Sequence, residues 1–172
     1  GINYYDLYHS KTFVTNNACI TAEGAVCNAM QSSKITILGS RCLVIGYGNC
    51  GKKICGLLKY MKADISVVEN NICTKCHNVS FYNSITDVRS VHDFDFIFNT
   101  APSVVLKQNI LEKLSKNVTI IDIASAPGGT DFDYCKKHDI TAKLCPGIPG
   151  IYAPKSAAHI IFNEIVNLKR EG

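Results

Sequence analysis

Three glycines, Gly46, Gly48 and Gly51, stand in the stretch LVIGYGNCGKKI (residues 43–54) at the spacing G-x-G-x-x-G. A loop of this kind works through its main chain. The first glycine permits a tight turn, the second lets the backbone approach a pyrophosphate, and the third lets a helix pack close against a strand. A helix that starts inside the loop adds free N–H groups and a partial positive charge. Gly46, Tyr47, Gly48, Asn49, Cys50 and Gly51 are therefore the candidate cradle for a dinucleotide. The competing explanation is a glycine-rich turn with a purely structural role.

Twenty-three residues after Gly46 comes Glu69, close to where an acidic residue at the tip of a second strand reads an adenosine ribose. A carboxylate there accepts both ribose hydroxyls and repels a 2′-phosphate, which favours NAD over NADP. Asn70 sits beside it. The plainer alternative is a solvated turn glutamate next to Asn70 and Asn71.

Further polar groups gather at the carboxyl ends of later strands, where ligands lie in a doubly wound sheet. Asn99, Thr100, Ala101 and Pro102 follow the run FDFIF and should lie against the nicotinamide ribose. Asp122, Ala124, Ser125, Gly128 and Gly129 follow VTIID. The paired glycines allow their N–H groups to face an anion, as in a nest; they equally make an ordinary turn, and Asp122 equally caps the next segment. Lys155 and Ser156 open the last helix, and His159 lies one turn on. Histidine titrates near neutrality, which makes His159 a candidate proton acceptor, although a mid-helix histidine commonly serves packing.

These groups require a scaffold, and hydrophobic periodicity supplies one. Helices are expected over Thr21–Ser33 with Thr21 as cap, Asn49–Met61, Lys107–Leu114, Asp131–His138 and Lys155–Lys169. Strands are expected at Arg41–Ile45, Asp64–Val68, VSFY from Val79, Phe94–Thr100, Val118–Ile123 and ITAKL from Ile140. Alternation of strand and helix implies an α/β fold, a Rossmann-type doubly wound parallel sheet with helices on both faces. No Pro-, Gly- or Ser-rich linker divides residues 1–172, so they read as a single NAD(P)-binding domain.

Composition narrows the partners. The net charge of +4 comes from scattered basic residues, too few and too dispersed for nucleic acid. No apolar run approaches the roughly 20 residues of a membrane helix. Nine cysteines without a secretory signal fit free thiols in a reducing cytoplasm. CTKCH (residues 73–77) formally matches a haem-attachment pattern or half a zinc site, but lacks a second ligand pair; a turn carrying two thiols explains it, and no metal is expected. The start at Gly1, on GINYYDLY, suggests a piece of a longer protein.

Five motifs occur in order: NNACITAEGA (16–25), LVIGYGNCG (43–51), FNTAPSVVL (98–106), IDIASAPGGTDF (121–132) and CPGIPGIYAPKSAAHI (145–160). Together they resemble the C-terminal, nucleotide-binding part of the A-type subunits of dipicolinate synthase. The resemblance implies an enzyme of sporulation that oxidises a dihydrodipicolinate-type intermediate to dipicolinate with a nicotinamide nucleotide. It implies a leading domain absent from this chain, self-association into a homo-oligomer, a flavoprotein-like second subunit to work with, and a place in the cytoplasm of a spore-forming cell. It also implies a small dicarboxylate substrate, for which Lys155, Ser125, Gly128, Gly129 and Ser156 are the candidate partners, with Lys155 and His159 as candidate catalytic groups. Family members tend to carry a basic residue just past the second strand, which suits NADP; Glu69, Asn70 and Asn71 stand there in this chain. Two other classes remain in view: an NAD-dependent 2-hydroxy or 2-amino acid dehydrogenase domain, and a non-catalytic nucleotide-binding module.

Overall fold

Alternate residues of the central strands enter two different cores, and that division fixes the architecture. The computed structural model describes residues 4–72 and 76–171, the last three of them by backbone alone. Six parallel strands, β1 (Arg41–Ile45), β2 (Asp64–Val68), β3 (Val79–Tyr82), β4 (Phe96–Asn99), β5 (Thr119–Asp122) and β6 (Thr141–Leu144), form one sheet in the order β3-β2-β1-β4-β5-β6. Cys42, Val44, Phe96, Phe98 and Ile121 face one layer of helices. Leu43, Ile45, Ile97 and Ile120 face the other. β1, β4 and β5 are buried almost throughout, the pattern of strands covered on both faces. This is the Rossmann-type fold expected from the sequence, and the strand order reverses between β1 and β4.

The helices are α1 (Lys11–Ser32), α2 (Asn49–Tyr60), α3 (Gln108–Leu111), α4 (Phe132–Lys137), α5 (Ile148–Tyr152) and α6 (Pro154–Glu171). β1, α2, β2 and β3 match their expected ranges to within one residue. The first helix does not. It begins ten residues before Thr21, and its cap is Ser10, whose hydroxyl accepts the Phe13 amide at 3.1 Å. Thr21 is mid-helix, and its hydroxyl donates back to the Asn17 carbonyl at 2.8 Å. Lys11–Ile20 is rich in β-branched residues and asparagine, weak helix formers by themselves. Packing overrides that preference: α1 is wedged between α2 on one side and α5 and α6 on the other. Gly24 lies at the α1–α5 contact, where a Cβ would stand 2.2 Å from a methyl of Ile148.

Other differences are local. β4 is shorter than Phe94–Thr100, because Phe94 belongs to the preceding turn and Thr100 to the following loop. α3 is a single turn rather than Lys107–Leu114. Among the described residues, no helix is long and apolar enough to cross a membrane.

Candidate functional site

The switch point is built from two loops joined through one carbonyl. Ile45 ends β1, and its oxygen accepts both the amide of Thr100 at 2.8 Å and the Thr100 hydroxyl at 2.9 Å. Gly46 follows with φ +90°, a conformation suited to glycine, and a Cβ there would lie 2.4 Å from the Thr100 hydroxyl. Gly51 is buried in the first turn of α2, where a Cβ would meet the Gly46 carbonyl oxygen at 2.1 Å. Gly48 is different: a Cβ there would meet no atom within 4 Å. Gly48 is also the N-cap of α2 and brings no capping side chain, so the helix presents its first amides to the cleft. The three glycines thus divide into two required by the fold and one facing open space.

That space is a cleft of about 790 Å³, within the range of ligand cavities. Gly46, Gly48, Asn49 and Cys50 line it from the glycine loop, Glu69 and Asn70 from the end of β2, and Thr100, Ala101 and Pro102 from the loop after β4. Nine of the sequence-derived cofactor residues therefore share one cavity. Its remaining wall was not anticipated. Ser84, Ile85 and Thr86 follow β3, and Ser103 to Val105, Lys107, Asn109 and Ile110 continue the β4 loop into α3. One signal for the first group was present: Ser84 and Asp87 form a capping box.

Glu69 is half-buried at the cleft wall. Its Oε2 accepts the Tyr47 amide at 2.7 Å, and its Oε1 accepts the Asn71 amide at 3.3 Å. Tyr47 itself does not line the cleft, and its amide is taken up by Glu69. Its ring turns away from the cleft and packs edge-on against Phe81 at 5.1 Å, with the Lys52 ammonium 5.6 Å from its centroid. Its hydroxyl meets the Cys76 sulfur at 2.9 Å; burial and this contact hold the phenol protonated well above its usual range. Cys76 is exposed, while Cys73, with Thr74 and Lys75, lies outside the described residues. Cys50 is partly buried at the start of α2; burial raises its thiol pKa, opposed by a hydrogen bond with Thr21.

The loop after β5 is held together from within. Asp122 is fully buried. Its Oδ1 accepts the Ala124 amide at 3.0 Å, and its Oδ2 accepts the Gly129 amide at 2.8 Å and the Thr130 hydroxyl at 2.7 Å. It therefore shapes the loop. Gly128 and Gly129 are buried too, and the Gly128 amide donates to the Ser125 carbonyl at 2.9 Å. The anion held by this turn is the chain's own Asp122, so neither glycine amide is free for a substrate carboxylate. Asn99 is likewise fully buried, its amide group hydrogen-bonded to the main chain of Ala101 at 3.3 Å. Ala124 is buried, and Ser125 is exposed at the rim of the loop.

Lys155, Ser156 and His159 come together, but not in the glycine cleft. They line a second groove, about 550 Å³, between α1 and α6, with Asn16, Cys19, Ile20 and Ile160. The two cavities are neighbours through α1: Ile20 lines the groove, and the adjoining Thr21 reaches Cys50 of the cleft. A lysine, an imidazole, an amide and a hydroxyl in one groove can bind an anion and exchange a proton.

No known family model matches the chain. Individual proteins do. Over an alignment of 172 residues it is 36% identical to the A-type subunit of dipicolinate synthase from Bacillus subtilis strain 168, covering 96% of this chain and 57% of that protein. The crystal structure of the corresponding dipicolinate synthase protein from Bacillus halodurans superposes with a TM-score of 0.87 at 31% identity, over 95% of this chain and 58% of that one. An L-alanine dehydrogenase superposes with a TM-score of 0.72 at 15% identity, over 95% of this chain and 56% of that one, which is a likeness of fold. The chain spans less than two thirds of each of these proteins. In sequence and in fold, over nearly all of its own length, the chain is a relative of the A-type subunits of dipicolinate synthase.

Proposed function

We propose that this chain is the nucleotide-binding domain of an A-type dipicolinate synthase protein. In this reading the protein oxidises a dihydrodipicolinate-type intermediate to dipicolinate during sporulation, in the cytoplasm, with NAD or NADP as hydride acceptor. The observation that carries it is the open approach to Gly48 at the mouth of α2, inside a cleft that also gathers Glu69, Asn70, Thr100, Ala101 and Pro102.

The chain's own residues bind and orient. Amides at the start of α2 receive the pyrophosphate, Glu69 takes the adenosine ribose, and the β4 loop carries the nicotinamide end. The bound nicotinamide would accept the hydride that leaves a ring carbon of the substrate. A proton leaves beside it, and the product ring becomes aromatic. His159 is the candidate proton acceptor in this reading, and Lys155 and Ser156 are the candidate partners of a substrate carboxylate; that all three line the second groove supports the reading. Ser125, exposed at the loop rim, is a further hydrogen-bonding group. A leading domain, self-association and a flavoprotein-like second subunit complete the enzyme in this reading.

A product assay on the full-length protein with its second subunit tests the reaction. Dipicolinate sensitises terbium luminescence, whereas a keto acid does not. Luminescence that grows with nucleotide reduction supports the proposal. Nucleotide reduction with keto-acid formation would make the chain part of a 2-hydroxy or 2-amino acid dehydrogenase. Binding without any hydride transfer would make it a nucleotide-binding module.

A further inference from the structure

The amino ends of the strands, opposite the cleft, carry a surface that the proposed chemistry does not use. Residues 33–40 join α1 to β1 as a loop braced by its own side chains. The Ser33 hydroxyl accepts the Ile35 amide and the Thr36 hydroxyl accepts the Leu38 amide, both at 3.2 Å, and the Ser40 amide donates to the Ile37 carbonyl at 3.0 Å. Ile37 is buried and anchors the loop, yet its neighbours of similar size stand in solvent: Ile35 is 47% and Leu38 61% exposed. The loop is stitched to the end of α2, where the Gly39 amide donates to the Lys62 carbonyl at 3.1 Å. Tyr60, the last residue of α2, is 89% exposed. Single exposed apolar residues are ordinary; three at one end of a sheet, two of them fixed there by a braced loop, form a patch.

The surroundings of the patch are basic. Lys34, Lys59 and Lys62 are exposed, and Lys62 holds φ +58°, a left-handed backbone that favours glycine. The carboxylates at this end are occupied by Arg41, which lies 3.9 Å from Asp64 and hydrogen-bonds Asp93. Among the described residues, none of the three lysines takes part in an ion pair. An apolar centre with a polar rim is the anatomy of a protein interface. Three uncompensated cations match an acidic rim on the partner, and they repel a second copy of the same face.

We infer that this end of the sheet docks the second subunit of the proposed enzyme, through a face on that subunit with an apolar centre and an acidic rim. The inference rests on the dipicolinate synthase reading and names where its partner sits. Ile35, Leu38 and Tyr60 lose water on contact, while the lysines steer the approach and fix its orientation. The docked subunit lies at the far ends of the strands from Gly48 and leaves the cleft open.

Titration of the purified second subunit onto the full-length protein tests this, using the wild type, Leu38→Asp, the double variant Lys34→Glu/Lys59→Glu, and Phe162→Asp, each checked for fold by circular dichroism. The wild type should bind. Leu38→Asp should weaken binding roughly tenfold or more, as the loss of a central apolar contact does. The charge-reversed variant should weaken it about tenfold and flatten its dependence on salt; it carries the test if Leu38→Asp misfolds. Phe162→Asp, on an exposed part of α6, should bind like the wild type. A complex weakened by neither patch variant, or only by Phe162→Asp, overturns the inference and leaves the dipicolinate synthase reading in place. So does a patch variant that abolishes self-association without altering the affinity for the second subunit. A wild type that does not bind the second subunit overturns that reading of the partner, and the inference with it.

Discussion

Asp122 Oδ2 lies 2.8 Å from the Gly129 amide and forms the internal anchor of the loop that leaves β5. The Gly129 carbonyl in turn accepts the amides of Val105 and Leu106, both at 2.9 Å. A Cβ on Gly129 would stand 2.3 Å from the Asn99 side-chain nitrogen. The loops after β4 and β5 are thereby locked to each other, and the β4 loop forms one wall of the cleft. Asp122→Ala would leave the Gly129 amide and the Thr130 hydroxyl buried without their acceptor, at a cost of about 3 kcal/mol. For a domain of this size the thermal midpoint should fall by roughly 10 °C. A melt displaced by less than 2 °C would show that the loop does not depend on Asp122.

Gly51→Ala should damage the fold rather than the ligand site alone. The added methyl meets the Gly46 carbonyl, which cannot move without disturbing the end of β1. Overpacking of this kind costs about 1–3 kcal/mol. Chemical denaturation reads it directly, and a stability equal to wild type would contradict the close contact between the α2 start and the glycine turn.

Burial pushes the thiol pKa values of Cys42 and Cys55 up to about 12 and that of Cys135 up to about 11, from an ordinary 9.0. The folded chain therefore keeps protons that the unfolded chain releases. This contribution is fully present below pH 9 and is lost as pH rises from about 9 towards 11–12, at up to about 1.4 kcal/mol per pH unit for each thiol. Urea unfolding between pH 8 and pH 11 should show stability falling, with a shallower fall in Cys42→Ala. Equal slopes in the two proteins would mean that Cys42 does not titrate differently on folding.

Lys155→Ala and His159→Ala should leave nucleotide affinity within about twofold, because both side chains line the α1–α6 groove and not the glycine cleft. Neither side chain lines the cleft that gathers the glycine loop. Under the proposed function both variants should lower turnover of the full-length protein. A tenfold loss of nucleotide affinity in either would place the groove inside the dinucleotide site.

Much of the central scaffold was legible because burial imposes a period. β1, α2 and β2 each carry a continuous or 3.6-spaced apolar pattern, and a glycine loop between strand and helix has few other uses. Glu69 was legible from its distance along the chain. The first half of α1 was not: its residues favour helix weakly, and the helices that stabilise it are remote in sequence. Asp122 was ambiguous for another reason. A carboxylate at a strand end looks the same whether it faces a ligand or folds back onto its own loop, and the hydrogen bonds to Ala124, Gly129 and Thr130 decide which. The same bonds consume the amide of Gly129, which composition alone leaves free. Lys155 and His159 were recognised as neighbours, but their separation from the glycine cleft depends on where α6 crosses α1.

The proposed dinucleotide binding depends on the open space before Gly48, and the most direct measurement is a titration of NADH into the wild-type chain and into Gly48→Ala. A methyl there meets no protein atom, so the variant should fold and melt like the wild type, yet it would crowd a pyrophosphate. Saturable binding of one NADH per chain, weakened at least tenfold by the substitution, is the predicted result. No binding to the wild type, or equal affinity in the two proteins, would contradict it.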